Sequence, residues 1–206
     1  MPKVTREQTN ARREEIINAC AKLYETTSFK DLTLKDIGKA TSFTRTSIYN
    51  YFQTKEEIFL ALLEQEYDLW NEDLVAILKQ NEHLSVDEFA DKLACSLEKR
   101  ERLLKLMSMN HYDMESSSRI EKLTEFKCAY GKSLQLVTSC IQKFFPSIAT
   151  NKAQSFIYIF FPFMFGIYPY TYVTEKQREA MKNAKADYVF MSIYEITFSC
   201  IKNLLS

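Results

Sequence analysis

Apolar side chains recur every three to four residues along most of this chain, and no stretch shows the two-residue alternation of a half-buried strand. In "NARREEIINACAKLYETTSF", Ile16, Ile17, Cys20, Leu23 and Tyr24 share one helical face with charges opposite, and Thr9 or Asn10 is the expected N-cap. "LTLKDIGKA" predicts a short second helix behind a Thr33–Asp36 capping box, with Leu34 and Ile37 turned inward. A third helix begins near Thr44, its inner side carrying Ile48 and Phe52 at i, i+4, with Phe43 beside them. Thr54 and Glu57 then open a long helix that ends near Asn81, and Ser85 with Glu88 opens another over "SVDEFADKLACSLEKRERLLKLMSM".

Beyond a polar break, "HYDMESSSR", the helical pattern resumes in "IEKLTEFKCAYGKSLQLVTSCIQKFF", which Pro146 closes off. A very aromatic helix follows, "TNKAQSFIYIFFPFMFGIYPYTYV". The last segment, "TEKQREAMKNAKADYVFMSIYEITFSCIKNLL", holds one or two helices, with Ala186, Val189, Phe190, Ile193, Ile196, Cys200 and Leu204 near period 3.6. The pattern predicts an all-α protein of about nine helices with no internal repeat.

Composition agrees with that class. Of 206 residues 46% are hydrophobic, enough for a sizeable core, and only three glycines and four prolines argue against a loop-rich β architecture. The formal net charge is zero, but its distribution is uneven. Residues 1–55 carry ten Lys/Arg against six Asp/Glu, a net +4, and the remainder 17 against 21, a net −4. A basic N-terminal part suits a polyanion, and an acidic remainder suits another task. The cysteines, Cys20, Cys95, Cys128, Cys140 and Cys200, are dispersed and lack metal-ligand spacing, so they read as reduced small hydrophobes of a cytoplasmic protein. "MPKVTREQTNARREEI" has no apolar run and so no signal peptide is expected.

The chemistry-bearing stretch is "TSFTRTSIYNYFQTKEEIF". Three short helices with a tight turn between the second and third have the layout of a helix-turn-helix, whose second helix enters the major groove. Thr44, Arg45, Thr46, Ser47, Tyr49 and Asn50 remain to face outward or sideways. Arg reads guanine O6/N7, Asn pairs with adenine, and a Thr methyl meets a thymine methyl. Tyr and Ser hydroxyls suit phosphate oxygens. Lys55, opening the next helix, could hold a phosphate together with the free N–H groups there.

"LTLKDIGKATSFTRTSIYNYFQTKEEIF" resembles the DNA-binding region of the tetracycline-repressor (TetR) family of transcriptional regulators. The resemblance runs from about Ala11 to Leu62 through Leu32-Thr33, Asp36-Ile37, Ala40, Ile48-Tyr49, Tyr51-Phe52, Lys55-Glu56-Glu57 and Phe59. It implies that Thr44, Arg45, Thr46, Tyr49 and Asn50 face the groove or its edges, and that Thr33, Tyr49, Tyr51 and Lys55 touch phosphates. Two positions depart from the family: Ser28 and Ser42 stand where it usually has glycine. A serine held at positive φ there would cost on the order of 1 kcal/mol.

The resemblance further implies a DNA-binding domain over 1–54, a linking helix from 55, and a larger helical domain over 55–206 that binds a small molecule and dimerises, often through the last two long helices. Partners would be a palindromic double-stranded operator, a second copy of the chain and a small-molecule effector. Dimers reading two half-sites about 34 Å apart gain affinity and specificity. Five Phe and four Tyr crowd Phe156 to Val173. That run is long enough to raise a membrane span, but two prolines, a glycine and four tyrosines interrupt it, so no membrane partner is expected. A core helix kinked at Pro162, with one side in a dimer interface or lining a ligand cavity, fits better. The candidate cavity residues are Trp70, Met107, His111, Phe126, Tyr130, Phe161, Phe165 and Tyr168, which join apolar bulk to polar tips. Metal is not expected, with His83 the only companion of His111, nor is any cofactor. No Ser/His/Asp set, glycine-rich phosphate loop or paired-carboxylate motif suggests an enzyme. The expected function is a homodimeric repressor released from its operator by a hydrophobic or aromatic ligand. The alternative is a DNA-binding adaptor that answers to a protein partner.

Overall fold

The computed structural model describes residues 5–42, 44–109 and 111–206, with the Arg45 side chain also outside the description. The expectations for Phe43 and for the Arg45 side chain therefore lie outside the described residues. Among the described residues there are eleven helices and no strand: α1 (Arg6–Tyr24), α2 (Leu34–Lys39), α3 (Arg45–Ile48), α4 (Lys55–Gln80), α5 (Val86–Glu98), α6 (Glu101–Met107), α7 (His111–Ser116), α8 (Ile120–Phe144), α9 (Thr150–Thr171), α10 (Glu175–Asn183) and α11 (Ile193–Leu205).

Three differences from the sequence reading have local causes. Helix α1 starts before Thr9, because Thr5 makes a complete capping box with Gln8, and the Thr9 hydroxyl instead donates to the Thr5 carbonyl. The expected single helix over 85–109 is broken at Arg100 (φ −111°, ψ 42°), whose guanidinium donates to Asp73 Oδ2 at 2.8 Å and to the Leu69 carbonyl at 3.2 Å on α4. The periodic run from Ala186 to Leu204 is helical only from Ile193. Ser192 and Glu195 cap that helix, and Val189 upstream is largely exposed. With α7 inside the expected polar break, these account for eleven helices in place of about nine.

The chain forms two compact units. One is Met1–Gln65 with Asn110–Cys128, the other Glu66–Met109 with Ala129–Ser206. In the first, Ile16, Ile17, Cys20 and Tyr24 of α1 are buried with Leu32, Ile37, Ile48, Phe52, Ile58 and Phe59. Tyr24 and Phe29 each meet the Phe59 ring edge-to-face, at 5.1 and 4.8 Å between centroids. In the second, α11 packs on α5 and α9, and α6 packs on α9. Helix α9 turns Phe156, Phe160, Phe161, Met164 and Ile167 into the core and runs on through Pro162 and Pro169, which stay at the surface. No single helix among the described residues is long and apolar enough to cross a membrane; α9 and α10 meet both requirements only as a pair bent by 86°.

Candidate functional site

The first unit presents α3 through a chain of local bonds. Thr33 caps α2 and forms a capping box with Asp36, whose carboxyl the Thr33 hydroxyl and N–H hold below the usual range. Thr44 is the extended N-cap of α3, its hydroxyl 3.2 Å from that of Ser47. The helix closes with the Tyr51 and Phe52 N–H groups donating to the Ile48 carbonyl at 2.8 and 3.0 Å. Ile48 and Phe52 are fully buried, which pins one side of this short segment. The other side is open: Thr46 and Asn50 are exposed, Tyr49 is 45% exposed, and Ser47 and Tyr51 are half-buried.

Neither serine at the family's glycine positions is strained. Among the described residues the one non-glycine with positive φ is Lys185 (51°), on the second unit. Ser28 instead donates to Asp31 Oδ2 at 2.6 Å, and Ser42 gives both its N–H and its hydroxyl to the Glu15 carboxylate of α1. The turn before α3 is thus tied to α1 by bonds of which glycine could supply only one. Restoring the family residue by Ser42→Gly is expected to destabilise the protein, by about 1 kcal/mol, through the lost hydroxyl bond and the added chain freedom. Urea unfolding checks the sign; a stabilised variant would contradict this account.

Lys55 is turned inward. Its ammonium donates to the Phe29 and Leu32 carbonyls at 2.7 and 3.2 Å and lies 4.4 Å from the centroid of the Phe29 ring. In this structure it secures the loop between α1 and α2. Thr54 accepts from the Glu57 N–H, as a cap should, but the Glu57 carboxylate does not reach back to Thr54. It is buried and takes Arg119 instead: Nε to Oε1 at 2.7 Å and an Nη to Oε2 at 2.8 Å, with N–H donors from Arg119 (3.1 Å) and Gln53 (2.7 Å). The same guanidinium donates to the Tyr51 carbonyl at 3.2 Å, and the Thr54 hydroxyl donates to the Ser117 carbonyl. Burial alone would raise the Glu57 carboxyl, but the Arg119 guanidinium and the two backbone donors hold it below the usual range. Arg119 was not legible as a functional residue. It stands 62 positions from its partner, in a polar stretch with no periodic signal.

The eight candidate cavity residues divide between the units. His111 and Phe126 belong to the first, with ring centroids 6.4 Å apart. The other six lie in the second. Trp70, Met107 and Phe161 are buried there, and Tyr130, Phe165 and Tyr168 half-buried. Trp70 donates from Nε1 to Ser96 Oγ at 3.0 Å and lies 6.0 Å from Phe161, which meets Tyr130 edge-to-face at 5.7 Å. Tyr130 in turn lies 5.6 Å from Tyr67. Tyr130 and Phe161 also line a cavity of about 460 Å³ between α8 and α9, with Leu134, Thr138, Gln142, Thr150, Ala153, Gln154, Ile157, Tyr158 and Pro162. Tyr168 lines a different cavity, of about 290 Å³, with Glu98, Glu101 and Ser192 among its neighbours; burial pushes its phenol up to about 12. Trp70 and Met107 are core residues rather than lining for either. Burial likewise pushes the Cys20 and Cys140 thiols up to about 12, so both are protonated at neutral pH.

A short, hydroxyl-rich helix held outward by a buried aliphatic–aromatic pair, behind a capped second helix, defines a helix-turn-helix. Comparison with known proteins agrees. Residues 16–62 match the family described as "Bacterial regulatory proteins, tetR family", and residues 64–195 match "Tetracyclin repressor-like, C-terminal domain". The chain belongs to the TetR family, and is a helix-turn-helix transcriptional regulator rather than an enzyme. The uncharacterized HTH-type transcriptional regulator YfiR of Bacillus subtilis is 35% identical over 85 residues, which span 41% of this chain and only 40% of that relative. A putative TetR-family regulator from Mesorhizobium loti shares the fold with a TM-score of 0.61 at 16% identity, over 98% of this chain and 97% of its own. So does FadR of Thermus thermophilus, a TetR-family repressor solved in complex with lauroyl-CoA, with a TM-score of 0.60 at 17% identity over 94% and 93%.

Proposed function

We propose that the protein is a homodimeric repressor whose α3 segment reads a palindromic operator and which a small hydrophobic or aromatic ligand releases. The observation that carries the DNA half is the open face of Thr46, Tyr49 and Asn50 opposite buried Ile48 and Phe52. In this reading Thr44, Arg45, Thr46 and Asn50 address base edges. Ser47, Tyr49, Tyr51 and Thr33 address phosphates, and Lys55 positions the loop that carries Thr33. The DNA-binding part spans residues 1–54, and the remainder is regulatory, with the first turns of α4 and residues 111–128 packed into the DNA-binding unit. Two copies are needed because one such segment contacts few base pairs, and paired half-sites about 34 Å apart supply the rest.

For the ligand half, the support is the cavity of about 460 Å³, within the size range of small-molecule sites, and the repressor in complex with lauroyl-CoA among the proteins of the same fold. Binding of the ligand shifts the regulator only by its differential affinity for the operator-bound and free states.

Asn50→Ala is expected to weaken binding to the region upstream of the protein's own operon by about tenfold, in line with roughly 1–3 kcal/mol for a bidentate base contact. Thermal stability should be nearly unchanged, since Asn50 is exposed. Fluorescence anisotropy at moderate salt measures this. A wild-type protein that does not discriminate the upstream region from competitor DNA would overturn the operator reading.

A further inference from the structure

The start of α8 reaches the segment that closes α3. Arg119, the residue before this helix, donates to the Tyr51 carbonyl and to Glu57. Three residues further on, the Lys122 ammonium lies 6.0 Å from the centroid of the Phe52 ring. The Arg13 guanidinium of α1 lies at the same 6.0 Å from that centroid. Glu125 holds both cations. It accepts from Lys122 Nζ at 2.9 and 2.8 Å and from Arg13 Nη2 at 3.0 Å. The same Arg13 nitrogen also donates to Glu64 of α4 at 3.0 Å.

Phe52 is fully buried and, with Ile48, pins the side of α3 opposite Thr46, Tyr49 and Asn50. The attraction between a cation and a ring face is short-ranged, so the positions of Phe52 and of its two cations constrain one another. Long cationic side chains normally turn their heads to water. Here the Lys122 side chain keeps 17% of its exposure and that of Arg13 26%. The Glu125 carboxylate compensates for the lost water with charge-assisted bonds, which are short and directional. Glu64 gives Arg13 one further acceptor and gives Lys122 none among the hydrogen bonds of the described residues. The two cations therefore depend on α8 more than on α4.

We propose that Arg13, Lys122 and Glu125 are positioning residues for operator binding. They form an ionic clasp that ties Phe52, and with it the outward face of α3, to the first turns of α8. The α3 segment takes its orientation from α8 more than from α4, the helix that follows it in the chain. The inference rests on the reading of α3 as the operator-binding segment. Helix α8 is unbroken to Phe144, and Tyr130 and Leu134 further along it line the cavity of about 460 Å³. The helix that sets α3 is thus also a wall of that cavity.

Fluorescence anisotropy of full-length variants on the DNA upstream of the protein's own operon tests this. Glu125→Gln should weaken binding at least fivefold. Charge alone predicts the opposite sign, because removing a carboxylate from the DNA-binding unit favours a polyanion. Tm should change by less than about 3 °C, since the Glu125 side chain is 40% exposed. Glu64→Gln should cost about twofold, because Arg13 keeps Glu125. Arg13→Gln should lose at least fivefold, with an unchanged slope of log K against log salt concentration. A slope smaller in magnitude by about one would make Arg13 a phosphate contact. The proposal is overturned by that slope change, by a Glu125→Gln protein that binds as tightly as wild type or more tightly, or by a Glu64→Gln loss as large as that of Glu125→Gln. It is equally overturned if affinity falls only where Tm falls in step. Specific binding by wild type with Glu125→Gln unaffected sinks the clasp alone. A wild type without specific binding sinks the operator reading, and the clasp with it.

Discussion

Arg119→Ala should cost about 3 kcal/mol in urea unfolding and weaken operator binding as well. The variant leaves the Glu57 carboxylate buried without its guanidinium, and breaking a buried pair from one side is far more costly than replacing both partners. Because Arg119 is itself more than a third exposed, the loss should fall toward the lower end of the range for such pairs. The effect on DNA follows from what the pair holds: the Tyr51 carbonyl on Arg119 and the Gln53 N–H on Glu57, both in the segment that closes α3. The double variant Glu57→Gln/Arg119→Gln should recover part of the lost stability, since no unpaired charge remains.

The pH dependence has a definite sign. Glu57 is held below its ordinary value of 4.5 in the folded protein. Its contribution is therefore fully present above that value and lost as pH falls through the depressed folded one. In Arg119→Ala burial dominates and the carboxyl rises, so acidification relieves the variant. The stability gap between wild type and variant should narrow between neutral pH and about pH 4. Equal gaps at both would show that Arg119 acts through packing and not through charge.

The other large effect is expected at Trp70. Trp70→Ala should lower stability by about 3–5 kcal/mol, which is the usual cost of removing a fully buried tryptophan and leaving a cavity. In a chain of this size that is on the order of 10 °C in Tm. Trp70→Phe should cost much less, because the ring is largely kept and Ser96 retains its bond to the Leu93 carbonyl at 2.7 Å when the indole N–H is lost. Calorimetry of the pair separates core packing from ligand contact. A Trp70→Ala protein as stable as the wild type would place the indole at a surface and not in the core.

The sequence by itself determined what short-range physics controls. Thr33 with Asp36 and Ser85 with Glu88 cap the helices they were expected to cap, because a capping box needs only residues three apart. The inner faces of α1 and of the α3 segment follow from apolar spacing, and Ile16, Ile17, Cys20, Ile48 and Phe52 are buried as that spacing requires. The family likewise is legible in a contiguous motif. What only the tertiary structure decided are the directions of long side chains and the pairs that chain distance hides. Lys55 could face a phosphate or the Phe29 carbonyl with the same local sequence, and it takes the carbonyl. Glu57 could cap its own helix, and it takes Arg119 instead. Trp70 could line a cavity or fill the core, and it fills the core, while the neutral cavity forms where α8 and α9 bring together residues on either side of a connecting loop. Periodicity says which side of a helix is apolar. Which partner meets that side, and which polar atom is left facing it, depends on packing among elements far apart in the chain.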